Sequence, residues 1–142
     1  MLAEQVARLS QADRYARQAG ALIRRFKGVG VLTAMVFLTE IGDVRRFANR
    51  YQVGSFLGLT PTSFETGESS DRKGHISRQG PARLRRVLNQ AVWSLLRSDA
   101  EAAAKYDRIA AKNPKHRKKA VVASMRDLDI AMWHTALDAL AA

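Results

Sequence analysis

Lys27-Gly28-Val29-Gly30, directly ahead of the apolar run Val31-Leu32-Thr33-Ala34-Met35-Val36-Phe37-Leu38, is the stretch whose residue types and spacing lend themselves to chemistry. A Gly-hydrophobe-Gly turn between two helices lets the backbone pass close to a phosphate, and the next helix aims its free N–H groups and positive dipole end at that anion. This is the helix-hairpin-helix manner of holding a nucleic-acid backbone without reading its sequence. The same four residues also suit a plain tight turn between two packed helices. A second chemical stretch is the polar segment 62–80, with six hydroxyl residues and three glycines. Arg72, Lys73 and Arg78 set cations suited to phosphate beside those hydroxyls. Further cations follow in Arg83 and Arg86 and in the run Lys115-His116-Arg117-Lys118-Lys119, which also reads as a solvated helix start.

The charge balance points the same way. The 142 residues carry a formal charge of +11 with a pI near 10.9, which favours a polyanion, nucleic acid ahead of an anionic membrane surface. The excess is local: residues 1–71 carry nine Lys/Arg against seven Asp/Glu, residues 72–126 fifteen against three, and residues 127–142 none against three. The polyanion-facing surface is therefore expected mostly in the second half. With no cysteine, disulfides and thiolate catalysis are excluded and most structural zinc sites with them, in keeping with a reducing, cytoplasmic setting. The regular charges of residues 1–25 do not form a signal peptide, and the longest apolar run, Gly28 to Thr39, is too short to span a membrane.

Periodicity predicts an all-α, compact domain. Leu2, Val6, Leu9, Ala16, Ala19, Ile23 and Phe26 recur at helical spacing, interrupted at Asp13, and make residues 1–25 a linker-type amphipathic arm suited to packing or self-association into a homo-oligomer. Residues 26–142 form the domain proper. After the Gly28 to Gly30 turn a mostly buried helix is expected over Val31 to Ile41, then Arg45 and Arg46 in a loop, and a short helix from Tyr51 to Leu57 closed by Gly58-Leu59-Thr60-Pro61. The segment 62–80 lacks apolar periodicity and is expected to be a loop, of a length that marks functional or disordered segments. Pro81 opens a helix to Ser98 with Leu84, Val87, Leu88, Ala91, Val92, Leu95 and Leu96 inward and Arg83, Arg86, Gln90 and Arg97 outward. Asp99 to Lys112 and Lys118 to Leu140 complete the set. Trp93 and Trp133 are both expected in the core rather than as stacking platforms for bases.

These residues carry a resemblance. Phe26-Lys27-Gly28-Val29-Gly30 with Thr33-Ala34, then Glu40-Ile41-Gly42-Asp43, Arg46-Phe47, Gly58-Leu59-Thr60-Pro61, and Gly74-His75-Ile76-Ser77-Arg78-Gln79-Gly80 with Leu84-Arg85 resemble, in order, the C-terminal domain of insertion-sequence transposases of the 110/116/902 type. The resemblance extends from about Phe26 to Leu137. It implies a two-part DNA recombinase: an N-terminal RuvC-like domain whose four acidic residues bind divalent metal, a helical linker, and a C-terminal domain that supplies a serine as nucleophile. Members associate with a structured RNA that pairs with target and donor DNA. Met1 falls in what would be the linker, so a truncated or excised chain without the acidic domain is expected. No cofactor is then expected in these 142 residues, magnesium belonging with the acidic domain.

Where the family shows Ser-Gly after the Gly-Leu-Thr-Pro turn, this chain has Thr66-Gly67, with Ser69 and Ser70 just downstream. The resemblance thus makes Thr66, Ser69 and Ser70 the nucleophile candidates, one of them expected to act, with Thr66 bulkier and stiffer at χ1 than serine. Such a hydroxyl needs a base or metal, and Glu65, Glu68, Asp71 and His75 are the nearby groups. The combined expectation is a DNA-binding transposase domain, with structured RNA as a further partner, catalytically incomplete alone and placed on the nucleic-acid backbone by Lys27, Gly28, Val29, Gly30, Arg72, Lys73, Arg78, Arg83, Arg86, Lys115, Arg117 and Lys118. The alternative is a non-catalytic basic module that binds nucleic acid or oligomerises. A free-standing hydrolase is disfavoured, because the sequence shows no carboxylate pair, metal-ligand spacing or nucleophile elbow.

Overall fold

The computed structural model describes residues 15–58, 82–112, 114–115 and 117–141. Among these residues there are six α-helices and no strand: α1 (Ala16–Arg25), α2 (Val31–Ile41), α3 (Arg50–Leu57), α4 (Ala82–Ser98), α5 (Ala100–Lys112) and α6 (Arg117–Ala141), with a 3-10 turn at Val44–Arg46 between α2 and α3. The all-α expectation holds, and α2 spans the predicted apolar run from end to end. Arg45 and Arg46, expected in a loop, lie in the 3-10 turn. The first part of the predicted amphipathic stripe, Leu2 to Asp13, lies outside the described residues.

The 25-residue α6 is the central post, packing against α1, α3, α4, α5 and the 3-10 turn. Its sequence suits that place. Met125, Leu128, Met132, Trp133 and Ala136 are buried while Val121, Val122, Ile130 and Leu137 pack against the core, so apolar side chains leave the helix in several directions. In α2, Ala34 through Leu38 and Ile41 are all buried, and its Thr39 returns its hydroxyl to the Met35 carbonyl at 2.7 Å. Within the described part of α1, Ala19 and Leu22 are buried and the Gln18 amide donates to the Ala136 carbonyl at 3.4 Å, so this face turns inward onto α6.

Local chemistry explains the element ends. Asp43 accepts from the Arg45 amide and from its guanidinium, fixing the 3-10 turn, while the Asn49 side chain accepts from the Tyr51 and Gln52 amides to start α3. Gly58 closes α3 in the left-handed region at φ 82°, where a side chain would be strained. The Trp133 indole donates to the Val44 carbonyl at 2.7 Å and thereby ties α6 to the 3-10 turn. Arg46 lies over the rings of Phe47 and Phe56, and its Nε donates to the Ile41 carbonyl at 2.7 Å, so this cation is structural.

Candidate nucleic-acid interface

Phe26 to Gly30 joins α1 to α2 as a helical hairpin. Val29 is buried and Lys27 is exposed beside it, so the turn is pinned through one residue and presents the next. Gly30 is the N-cap of α2, and no side chain caps the helix there; the first intrahelical bond runs from the Ala34 amide to the Gly30 carbonyl at 3.0 Å. The amides ahead of Ala34 therefore lack side-chain acceptors, the arrangement that suits a phosphate oxygen.

The glycines themselves do something other than the sequence implies. Positive φ among the described residues occurs only at Gly42 and Gly58, so neither glycine of the turn is required by a backbone angle that a Cβ would resist. Gly30 adopts extended backbone at φ −99°, ψ −170°, and a Cβ there would meet nothing within 4 Å. At Gly28 a Cβ would sit 2.5 Å from the Ala91 carbonyl oxygen and 3.2 Å from the Ser94 Cβ. Gly28 is thus required by close packing of the turn on α4.

The outward face of α4 carries Arg83, Arg86, Gln90, Trp93 and Arg97, all exposed, at spacings of three and four residues that align them in one stripe about 21 Å long. Arg83 reaches Glu40 at 3.9 Å, which places this end of α4 beside the C-terminal end of α2, away from Gly30. Trp93 meets Tyr106 of α5 edge-on at 6.0 Å between ring centroids. That contact ties α4 to α5. Lys115, Arg117 and Lys118, all exposed, follow at the α5–α6 corner. Arg83 and Arg86 thus lie in the first two turns of α4, whereas Gly28 packs against Ala91 and Ser94, at the level of Trp93.

Beside the glycine turn a cleft of about 520 Å³ is lined by Arg25, Lys27 and Lys105 together with Asp99 and Asp127. Its anionic groups are engaged: Asp127 pairs with Lys105, and Asp99 caps α5 by accepting from the Glu101 amide at 2.9 Å and the Ala102 amide at 3.2 Å.

Two ionisable groups lie off the exposed face. Arg85, half-buried, donates from Nη1 to the Leu57 carbonyl at 3.1 Å, and burial lowers its pKa from the usual arginine value. Asp129 on α6 is buried, and neither carboxylate oxygen has a hydrogen-bond partner; burial pushes its pKa up to about 8 against the opposing pull of Arg126. Among the described residues no three His, Cys, Asp or Glu side chains converge to hold a metal ion.

Thr66, Ser69, Ser70, Arg72, Lys73 and Arg78 lie outside the described residues, as do Glu65, Glu68, Asp71 and His75. Trp133 is buried as expected, but Trp93 is 42% exposed and is corrected from core to surface. Its place was signalled by spacing, since residue 93 falls between Gln90 and Arg97 in the polar stripe; indole hydrophobicity masked it. No helix among the described residues is long and apolar enough to cross a membrane.

Comparison with known proteins agrees with the motif reading. The pattern of the Transposase IS116/IS110/IS902 family matches residues 20–107, which includes the glycine turn, α2, α3 and α4. The chain is 34% identical to y4rJ of Sinorhizobium fredii, a protein named as a transposase, over 81% of this chain and 30% of that protein. It is 38% identical to y4qE of the same organism, also named as a transposase, over 51% of this chain and 18% of that one. Against the transposase for insertion sequence element IS1111A of Coxiella burnetii it is 33% identical over 53% and 20% respectively. The chain spans less than a third of the length of each of these relatives. No solved structure matches it. The helical core, the motif order and these relatives together make the chain a member of the IS116/IS110/IS902 transposase family.

Proposed function

We propose that this chain is a DNA-contacting part of an insertion-sequence transposase, holding the phosphate backbone without reading base sequence. The observation that carries the reading is the exposure of Arg83 and Arg86 on the outward face of α4 and of Lys115, Arg117 and Lys118 at the α5–α6 corner. Guanidinium and ammonium groups at such a surface bind phosphate oxygens as charge-assisted donors and displace condensed counterions. The uncapped start of α2 beside Lys27 supplies a second phosphate contact through backbone amides.

Strand transfer in this reading uses a hydroxyl of Thr66, Ser69 or Ser70, and completion of the reaction requires the acidic metal-binding domain that the family resemblance implies. The alignment of Thr66-Gly67 with the family's Ser-Gly supports Thr66 first. A structured RNA is a further proposed partner of the same basic surface, supported by the net charge of +11. The test is a titration of fluorescent duplexes of unrelated sequence with the purified chain and with a Lys115→Glu/Arg117→Glu/Lys118→Glu variant. Similar affinities across duplexes, each weakened at least ~10-fold by the charge reversal, support the reading. Equal binding by the variant overturns the assignment of this corner.

A further inference from the structure

Trp93 is an exposed aromatic outside the core. It stands on the outward face of α4, one helical turn from Gln90 and Arg97 and two from Arg86, with 42% of its surface open to solvent. On the inner side of the same helix Leu84, Leu88, Ala91 and Val92 already fill the core. The indole is nevertheless held. Tyr106 of α5 meets it edge-on, with centroids 6.0 Å apart and an interplanar angle of 62°, so part of its rotational freedom is lost before any partner arrives.

An indole fixed amid arginines matches the chemistry of a nucleobase attached to its phosphates. The π-face takes the base by stacking, the flanking guanidinium groups take the backbone, and the Gln90 amide offers a donor and an acceptor to a base edge. A base inside an intact duplex already has both faces stacked. An aromatic platform therefore selects a base that has lost a neighbour at a gap, nick, bulge or unwound strand. Charge complementarity disfavours an apolar protein partner here, because Arg86 and Arg97 would be desolvated with Trp93.

We propose that Trp93, braced by Tyr106 and flanked by Arg86, Gln90 and Arg97, is a stacking platform for an unpaired base of DNA. This rests on the backbone-binding reading above and deepens it: the arginines hold the strand, and Trp93 makes the site prefer DNA whose stack is broken.

The test compares a fully paired duplex with the same duplex carrying a one-nucleotide gap opposite 2-aminopurine, using the whole chain at fixed salt. The variants are Trp93→Leu, which keeps apolar bulk against Tyr106, and Trp93→Phe, which keeps a smaller π-face. The native chain is expected to bind the gapped DNA ~10-fold more tightly than the duplex and to change 2-aminopurine fluorescence on binding. Trp93→Leu should abolish that preference and the signal while altering duplex affinity less than about twofold; Trp93→Phe should retain part of both. Equal loss on both DNAs, an unchanged preference in Trp93→Leu, or a preference seen only with a single-stranded RNA of the same sequence overturns the proposal. So does a sedimentation change in Trp93→Leu without loss of base discrimination, which would assign the indole to a second copy of the chain. Failure of the native chain to bind either DNA would instead defeat the backbone-binding reading itself.

Discussion

Gly28 and Ala91 approach so closely that a Cβ on Gly28 would lie 2.5 Å from the Ala91 carbonyl oxygen. The obstacle is helix backbone, which cannot swing aside as a side-chain tip can. Gly28 therefore fixes the distance between the α1–α2 turn and α4, and through it the orientation of the uncapped start of α2.

Gly28→Ala and Gly30→Ala should consequently behave differently. The first is expected to lower stability by about 2–3 kcal/mol through overpacking. Gly30→Ala has open space and an ordinary extended backbone, so its stability should change by no more than about 0.5 kcal/mol. Urea denaturation of both variants separates the two roles. A Gly30→Ala variant that is stable yet binds DNA more weakly would show that the turn contacts phosphate; equal destabilisation by both changes would contradict the packing assignment.

Trp133→Phe removes the indole donor from the Val44 carbonyl and leaves a small void beneath the 3-10 turn. With the Val44 carbonyl left without its 2.7 Å bond, the cost should be about 1–3 kcal/mol. The effect should appear as a lower urea midpoint with an unchanged slope. A variant as stable as the native chain would mean that this tie contributes nothing.

Asp129 makes stability depend on pH in an unusual direction. Its folded pKa, about 8, lies above the ordinary carboxylate value of 3.8, so between these values the folded chain binds more protons than the unfolded one. This contribution is absent as a penalty below pH 3.8, grows as pH rises, and is complete above about pH 8. The full penalty is at most about 6 kcal/mol. Asp129→Asn should therefore stabilise the chain at pH 8 more than at pH 5, flattening the decline expected of the native protein. Parallel pH profiles for the two proteins would rule out the shifted carboxyl.

The helices were legible because their signals are local. The Val31 to Ile41 run ends at glycines on both sides, and α4 shows its buried stripe in plain spacing from Leu84 to Val92. Three things were not legible. The proximity of Gly28 to Ala91 depends on how two helices cross, which no turn motif encodes. Hydrophobicity alone points Trp93 inward, although its position in the Arg86-Gln90-Arg97 stripe puts it outside. The Trp93–Tyr106 contact depends on how α4 and α5 fold back on one another, which no local pattern encodes.

The central claim is that exposed cations on α4 and at the α5–α6 corner neutralise DNA phosphates. The direct measurement is the slope of log K against log salt for a short duplex, for the native chain and for Arg83→Ala/Arg86→Ala/Arg117→Ala. The native slope should be steep, and the triple variant should reduce its magnitude by about 2–3, roughly one per lost phosphate contact, with similar weakening on every duplex sequence. Binding that ignores salt, or a triple variant with the native slope, would contradict the account.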